Sequence, residues 1–307
     1  MCPSDRSAYG HAAGVSLLRT DWIVSSYCVA MTEMTAWNLA FHCGNGLGKA
    51  RGRTAEAARP SQPPSGWTGS HGPGVSWEQW PRSLNTGLPM MHVLTLWLPA
   101  DFQRRGPQFP GIAVFAGEGQ FADYTKLPVP SVESTDPFLR DLAAAEVHPG
   151  LLRRRDLIDG EFAILWLTQA ELVAGPTAPR PDLRAEGEHV DESEGTNAWD
   201  NVEPTVDVWL LPRVDPNAGK APVELWGDEV RADGYINPSA GGNGLAAWAE
   251  PLFALSHLGG TAFPVQAMPA GLTPWYLELE EISGLNFGGG GNAQIDLESD
   301  TFDWACG

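Results

Sequence analysis

Short apolar runs bounded by glycine and proline recur along the chain, and their spacing predicts strands. Residues 92–98 (HVLTLWL) stop at Pro99, and residues 111–115 (GIAVF) lie between Pro110 and Gly117. Residues 162–167 (FAILWL) and 206–211 (VDVWLL) are apolar at nearly every position, as central strands buried on both faces are. Residues 275–280 (WYLELE) alternate instead: Trp275, Leu277 and Leu279 share one face, Glu278 and Glu280 the other. Ala293, Ile295 and Leu297 repeat that alternation after the glycine run 288–291, which predicts a wide antiparallel hairpin closing the chain.

Helices are fewer. Asp136-Pro137 supplies an N-cap acid and a proline at the first helical position, so a helix is expected through Phe138, Leu139 and Leu142. Thr168 and Glu171 have capping-box spacing, with Gly175-Pro176 as the stop. Residues 245–258 read as helical, interrupted at Pro251 and ended by Gly259-Gly260. Glycine (35) and proline (26) are abundant in the 307 residues, which favours many short elements over a helix bundle. An apolar run ending in leucine-proline occurs twice, LTLWLP at 94–99 and VWLLP at 208–212, a hint of duplicated halves.

The first 66 residues read as a weakly structured extension and linker, since 49–66 are rich in Arg, Ala, Pro, Ser and Gly with no apolar period. Met31 and Met34 offer alternative starts. Charge marks the same boundary. Residues 1–60 hold six bases and four acids, net +2, so the remaining 247 carry −21 of the total −19. After Arg231 nine acids follow and no Lys or Arg. Such a balance argues against nucleic acid or an anionic membrane as partner and favours a basic protein. No apolar stretch approaches the ~20 residues of a spanning helix, and no signal peptide is visible, so a cytoplasmic location is expected. The four cysteines show no paired spacing, which suits reduced thiols.

Tests for catalytic motifs mostly exclude. Residues 43–50 (CGNGLGKA) approach a phosphate loop, but Cys43 and Ala50 replace the first glycine and the magnesium-binding hydroxyl. The glycine run lacks the recurring acids of a calcium repeat and precedes a strand pattern, not a helix, so it reads as a turn whose amides a ligand could approach. The seven histidines lack metal-binding spacing, and no Gly-x-Ser-x-Gly elbow is present. No catalytic residue, metal or cofactor is called for. Trp97, Trp166 and Trp209 sit in apolar strands and read as core. Trp67, Trp77 and Trp80 lie among Gly, Pro and Ser and read as loop anchors or as a lid or surface platform.

Two stretches resemble the YwqG-like family, a bacterial domain of unknown function. One is Trp80-Pro81-Arg82 followed by Gly87-Leu88-Pro89-Met90, the strand from His92, and Leu98-Pro99. The other is His257-Leu258-Gly259-Gly260-Thr261-Ala262-Phe263-Pro264-Val265-Gln266, followed by the 275–279 strand and a glycine turn. Thr95 stands where that family often has glutamine. The match covers residues 67–307, taken as one domain. It implies an α+β fold of several mostly antiparallel β-sheets with a few short helices, internally duplicated. Such domains also occur near bacterial toxin systems as presumed immunity proteins.

Two functions follow. The first is a non-enzymatic, immunity-type protein capturing a basic partner through the acidic residues Glu186, Glu188, Asp191, Glu192 and Glu194 and the C-terminal acids. An otherwise solvated acidic loop is the plainer reading of that segment. The second is a small-molecule-binding protein or enzyme with a pocket formed by Trp77, Trp80, His92, His257 and Gln266.

Overall fold

The computed structural model describes residues 34–43, 46–48, 57, 58, 60–117, 129–155, 160–184, 196–225, 234–240 and 244–307. Thirteen strands form one sheet, and every pair in it is antiparallel. In chain order they are β1 (Ala36–Cys43), β2 (Gly46–Gly48), β3 (Ala57–Ala58), β4 (Gly66–Thr68), β5 (Met91–Trp97), β6 (Gly111–Ala116), β7 (Leu151–Arg155), β8 (Glu161–Leu167), β9 (Val206–Arg213), β10 (His257–Leu258), β11 (Tyr276–Glu280), β12 (Asn292–Asp296) and β13 (Phe302–Ala305). The spatial order is β13-β12-β11-β10-β1-β9-β4-β5-β6-β8-β7, with β2 and β3 attached to β1.

Alternation along the strands explains why the sheet curls. On β6, Ile112, Val114 and Ala116 join one cluster and Ala113 and Phe115 another; on β8, Phe162, Ile164 and Trp166 oppose Ala163, Leu165 and Leu167. The first cluster also takes Leu39 and Phe41 of β1, Val208 of β9, Leu277 and Leu279 of β11, and Ala293 and Ile295 of β12. A single interior fed by strands from across the sheet requires it to wrap around that interior. The ends accordingly approach each other. Phe162 of β8 packs against Phe302 of β13, centroids 4.8 Å apart, and Arg154 Nε of β7 donates to the Asp300 carbonyl at 3.0 Å. The result is a nearly closed, barrel-like sheet.

This corrects the expected α+β arrangement of several sheets. Among the described residues one sheet holds all the strands, and the helices are short covers. Strands apolar on both faces need a second apolar layer, and loops supply it here rather than a second sheet. Duplicated halves find no counterpart in the strand ends. Leu98-Pro99 follows the end of β5, whereas Pro212 lies inside β9, opposite Trp37 of β1. The stretch read as extension and linker contributes β1, which sits between β9 and β10 in the sheet.

The local helix signals act as read. Asp136 accepts from Phe138 N and opens α1 (Pro137–Ala143); Thr168 and Glu171 form a capping box on α2 (Gln169–Ala174). Residues 245–258, expected to be helical, form turns, a three-residue 3-10 helix (Glu250–Leu252) and the short strand β10. Ala254 there has φ +54°, outside the helical region. Cys43 faces Gly46 and Phe41 faces Gly48 in the antiparallel β1–β2 pair, so Gly46–Gly48 is strand and not the entry to a helix that a phosphate loop requires.

The glycine run 288–291 has a definite task. Glu281 Oε1 accepts from Phe287 N at 2.8 Å and Gly289 N at 2.9 Å, and Oε2 from Gly290 N at 3.0 Å. Burial works to raise its pKa, but these backbone donors hold it below the usual range. Gly288, Gly289 and Gly290 have φ of +84°, +88° and +105°, which lets the amides converge on the carboxylate. Glu281→Ala should therefore cost about 1–3 kcal/mol by leaving these donors unpaired. Gly289→Ala meets open space and should cost only about 1 kcal/mol of backbone strain. Urea unfolding of both variants checks this, and equal costs would contradict it.

Candidate functional site

The outward face of β11 and β12 carries Tyr276, Glu278, Glu280, Asn292, Gln294 and Asp296, and all six are buried. The segments 234–240 and 259–275 cover them. Asp215, just past β9, anchors the cover. It accepts from Arg213 Nε at 3.1 Å, Asn217 N at 2.8 Å, and Thr261 N and Oγ1 at 2.8 Å each. Its pKa is pulled down against the burial cost by the Arg213 charge and these donors. Asn217 exchanges hydrogen bonds with Ile236 N and O at 2.7 and 2.8 Å, and Ala262 N donates to Tyr235 Oη at 3.2 Å. Both contacts hold the covering loop to the sheet.

His257, Tyr276 and Glu278 form the centre of this layer. His257 Nδ1 lies 2.7 Å from the Leu255 carbonyl, which accepts only, so this nitrogen carries the proton in the assigned tautomer. Nε2 lies 3.3 Å from Tyr276 Oη. Burial, then Arg213, lowers the His257 pKa to about 3. Burial raises that of Glu278 to about 8 despite donation from Phe263 N at 2.9 Å and Gln294 Nε2 at 3.1 Å. Oε1 of Glu278 sits 3.8 Å from His257 Nδ1 and has no hydrogen-bond partner. Both groups are neutral near pH 7, so this approach is not an ion pair. A histidine beside an acid and a phenol has the look of acid–base machinery, yet all three side chains are wholly buried. A substrate could not touch them. They hold the chain that covers them: Tyr276 Oη donates to the Gly260 carbonyl at 3.1 Å, Glu278 accepts from Phe263 N, and Asn292 Nδ2 donates to the Phe263 carbonyl at 2.7 Å.

The other side of that covering chain forms a cleft of about 510 Å³. Its apolar walls are Leu225, Leu245, Phe253, Phe263, Val265 and Met268; Glu224, Asn237, Ser239 and Gln266 add polar groups. Phe253 and Phe263 meet edge to face, centroids 5.7 Å apart. Phe253 is 51% exposed and Val265 38%, so apolar surface stands open to solvent at a concave site. The volume is that of a small-molecule site.

The five residues expected to share a pocket fall into two groups. Trp77, Trp80 and His92 lie together over β5 and β6. The indoles are 5.5 Å apart, Trp80 meets Phe115 at 5.3 Å, and His92 meets Phe115 at 5.4 Å. Trp80 is not a surface platform: it is buried, and its Nε1 donates to the Met90 carbonyl at 2.9 Å. His92 is wholly buried between the Gly69 carbonyl and Thr95 Oγ1, at 2.7 and 2.8 Å, and burial lowers its pKa to about 4. Asp141 ties this group together, accepting from Trp77 Nε1 at 2.9 Å, Arg180 Nη1 at 2.7 Å and Arg82. The cavity there, beside Trp77, Trp80 and Arg180, is only about 220 Å³. His257 and Gln266 belong to the opposite group, and of the five only Gln266 lines the 510 Å³ cleft. Glu186, Glu188, Asp191, Glu192 and Glu194 lie outside the described residues.

Sequence reasoning missed the aromatic wall Phe253, because 245–258 read as a helix. It also missed that Glu278 and Glu280 face a second buried layer. The available signal was Asn292 and Gln294, amides in the positions where a solvent-facing strand commonly carries lysine or arginine.

Comparison with known proteins adds no relative: no family model matches the chain, and no curated protein or solved structure is found similar to it. The YwqG-like resemblance thus rests on its short motifs alone. Among the described residues no cluster of His, Cys, Asp and Glu is arranged for a metal, and no helix is long and apolar enough to cross a membrane.

The buried groups set a pH dependence. Glu278 releases its proton near 4.5 unfolded and about 8 folded, so folding retains a proton and stability falls as pH rises between those values. His257 and His92 act oppositely: unfolded they protonate below 6.5, folded only near 3 and 4, so stability falls as pH drops below 6.5. From pH 7 to 8 the Glu278 effect dominates among these three, a loss of roughly 1 kcal/mol. Denaturant unfolding across that range should show the decline in the native chain and none in Glu278→Gln. A decline that survives the substitution would assign it to another group.

Proposed function

We propose that this protein is a non-catalytic binding protein that takes a small ligand in the cleft lined by residues 223–225, 237–239, 244–245, 253, 262–266 and 268. The carrying observation is the cleft itself: a concave site of about 510 Å³ with Phe253 and Val265 open to solvent above a floor fixed by buried hydrogen bonds. A preformed apolar site with a few polar groups at its edge is what small-molecule recognition requires. Its described lining holds one hydroxyl, Ser239, and one carboxylate, Glu224, a sparse set that favours binding over catalysis.

Capture of a basic protein, in the manner of an immunity protein, has less support from the described acids. Glu278, Glu280 and Asp296 are buried, Glu281 is held by the glycine turn, and Glu298 and Asp300 pair with Arg104 and Arg105. Few of the C-terminal acids are left to steer a partner. A reducing cytoplasm suits the exposed free thiol of Cys306.

An NMR screen of neutral aromatic and aliphatic fragments against the full chain tests this reading. Shifts should concentrate at residues 223–225, 237–239, 244–245 and 262–268. Val265→Lys, placed at the open rim, should weaken the hits about tenfold or more with the fold unchanged. Hits that cluster around Trp77 and Arg180, or that ignore the Val265 substitution, would refute the assignment.

A further inference from the structure

The cleft has a one-sided charge. Among the described residues that line it, Glu224 is the one ionisable side chain. No Lys or Arg follows Arg231 to the end of the chain. Glu250 begins the 3-10 helix that leads to Phe253. Two described cations of this part of the chain are committed elsewhere. Lys220 Nζ donates to the Pro216 and Gly234 carbonyls at 2.7 and 2.6 Å, and Arg213 is bound to Asp215 beneath the cover.

Aromatic walls beside a lone carboxylate are the chemistry that recognises an organic cation. A ring face attracts a cation by about 0.5–2 kcal/mol, and a carboxylate adds a charge-assisted partner. Phe253 and Phe263 supply rings and Glu224 the charge. Gln266 spends its Nε2 on the Cys306 carbonyl at 3.1 Å, which leaves its amide oxygen as an acceptor at the same edge. An anionic ligand would be repelled by Glu224 here, and a neutral one would forgo the Glu224 interaction.

We propose that the cleft selects small ammonium compounds with an apolar body, of the arylalkylamine type. The proposal rests on the reading of the cleft as a ligand site, and its test separates the two. Phenethylamine, 2-phenylethanol and phenylacetate share one shape and differ in charge. Each is titrated into the full chain at pH 7 and low salt, followed by NMR shifts of residues 223–225 and 262–268. Phenethylamine should bind about tenfold more tightly than the alcohol, and phenylacetate more weakly than either. Glu224→Gln should reduce the amine to the affinity of the alcohol and leave the alcohol unchanged. Equal binding of amine and alcohol, or tighter binding of phenylacetate, overturns the cation preference while the ligand site stands. Absence of binding by all three, with the neutral fragments also silent, overturns both.

Discussion

The outward face of β11 and β12 is polar and buried, and much of the C-terminal half is arranged around satisfying it. An unpaired carboxyl or amide in that position would cost several kcal/mol, so each needs a donor or acceptor from the covering chain. Glu278 receives Phe263 N and Gln294 Nε2, Asn292 holds both Val265 N and the Phe263 carbonyl, and Asp296 receives Thr273 N. These bonds fix the path of residues 261–273 more closely than apolar packing would. The cost shows at Glu278, whose Oε1 has no partner and whose carboxyl keeps its proton to about pH 8. One neutralised acid is the price of a tightly held cover.

The interior imposes a second constraint. Strands from β1 to β12 share a single cluster, so the sheet can bury its apolar face only by curling on itself. Curling brings two edges, β7 and β13, toward each other, and exposed edges invite unwanted pairing. Side chains bridge the seam: the Phe162–Phe302 contact closes it from inside, and Arg154 and Arg105 reach Asp300 across it. Most of the arginines of this acidic chain that the structure describes are spent in such ways. Arg104 lies 3.6 Å over the Trp275 ring, and Arg184 joins Asp182 to Asp200 at the foot of the acidic segment. Net charge therefore says less about the surface than the composition suggests.

Local signals in the sequence were legible because they act over a few residues. The Asp136 cap, the Thr168–Glu171 box, the β11–β12 hairpin and the central strands all depend on neighbours in the chain. Decisions made at long range were not. β1 looks unremarkable at Ala36–Cys43, and its place between β9 and β10 is set by partners some 170 and 220 residues away in sequence. A strand apolar on both faces reveals that it is covered twice but not by what. One curled sheet with loop covers and several stacked sheets leave the same pattern. The candidate site was half legible: Gln266 was singled out, while Phe253 was hidden by a helical pattern that Pro251 and the positive φ of Ala254 break.

Rigidity below and openness above explain why the cleft, and not the buried histidine, is the place for function. His257, Tyr276 and Glu278 have perturbed ionisation because they are out of water, and the same isolation removes them from any substrate. Perturbed pKa values identify a site only when a ligand can reach the group. Here they mark the foundation of one. Phe263 is the link, its backbone bonded to Glu278 and Asn292 and its ring lining the cleft against Phe253. A wall fixed from behind loses little freedom when a ligand arrives, so less of the binding energy is lost to ordering. The buried polar layer thus contributes to recognition without touching what is recognised.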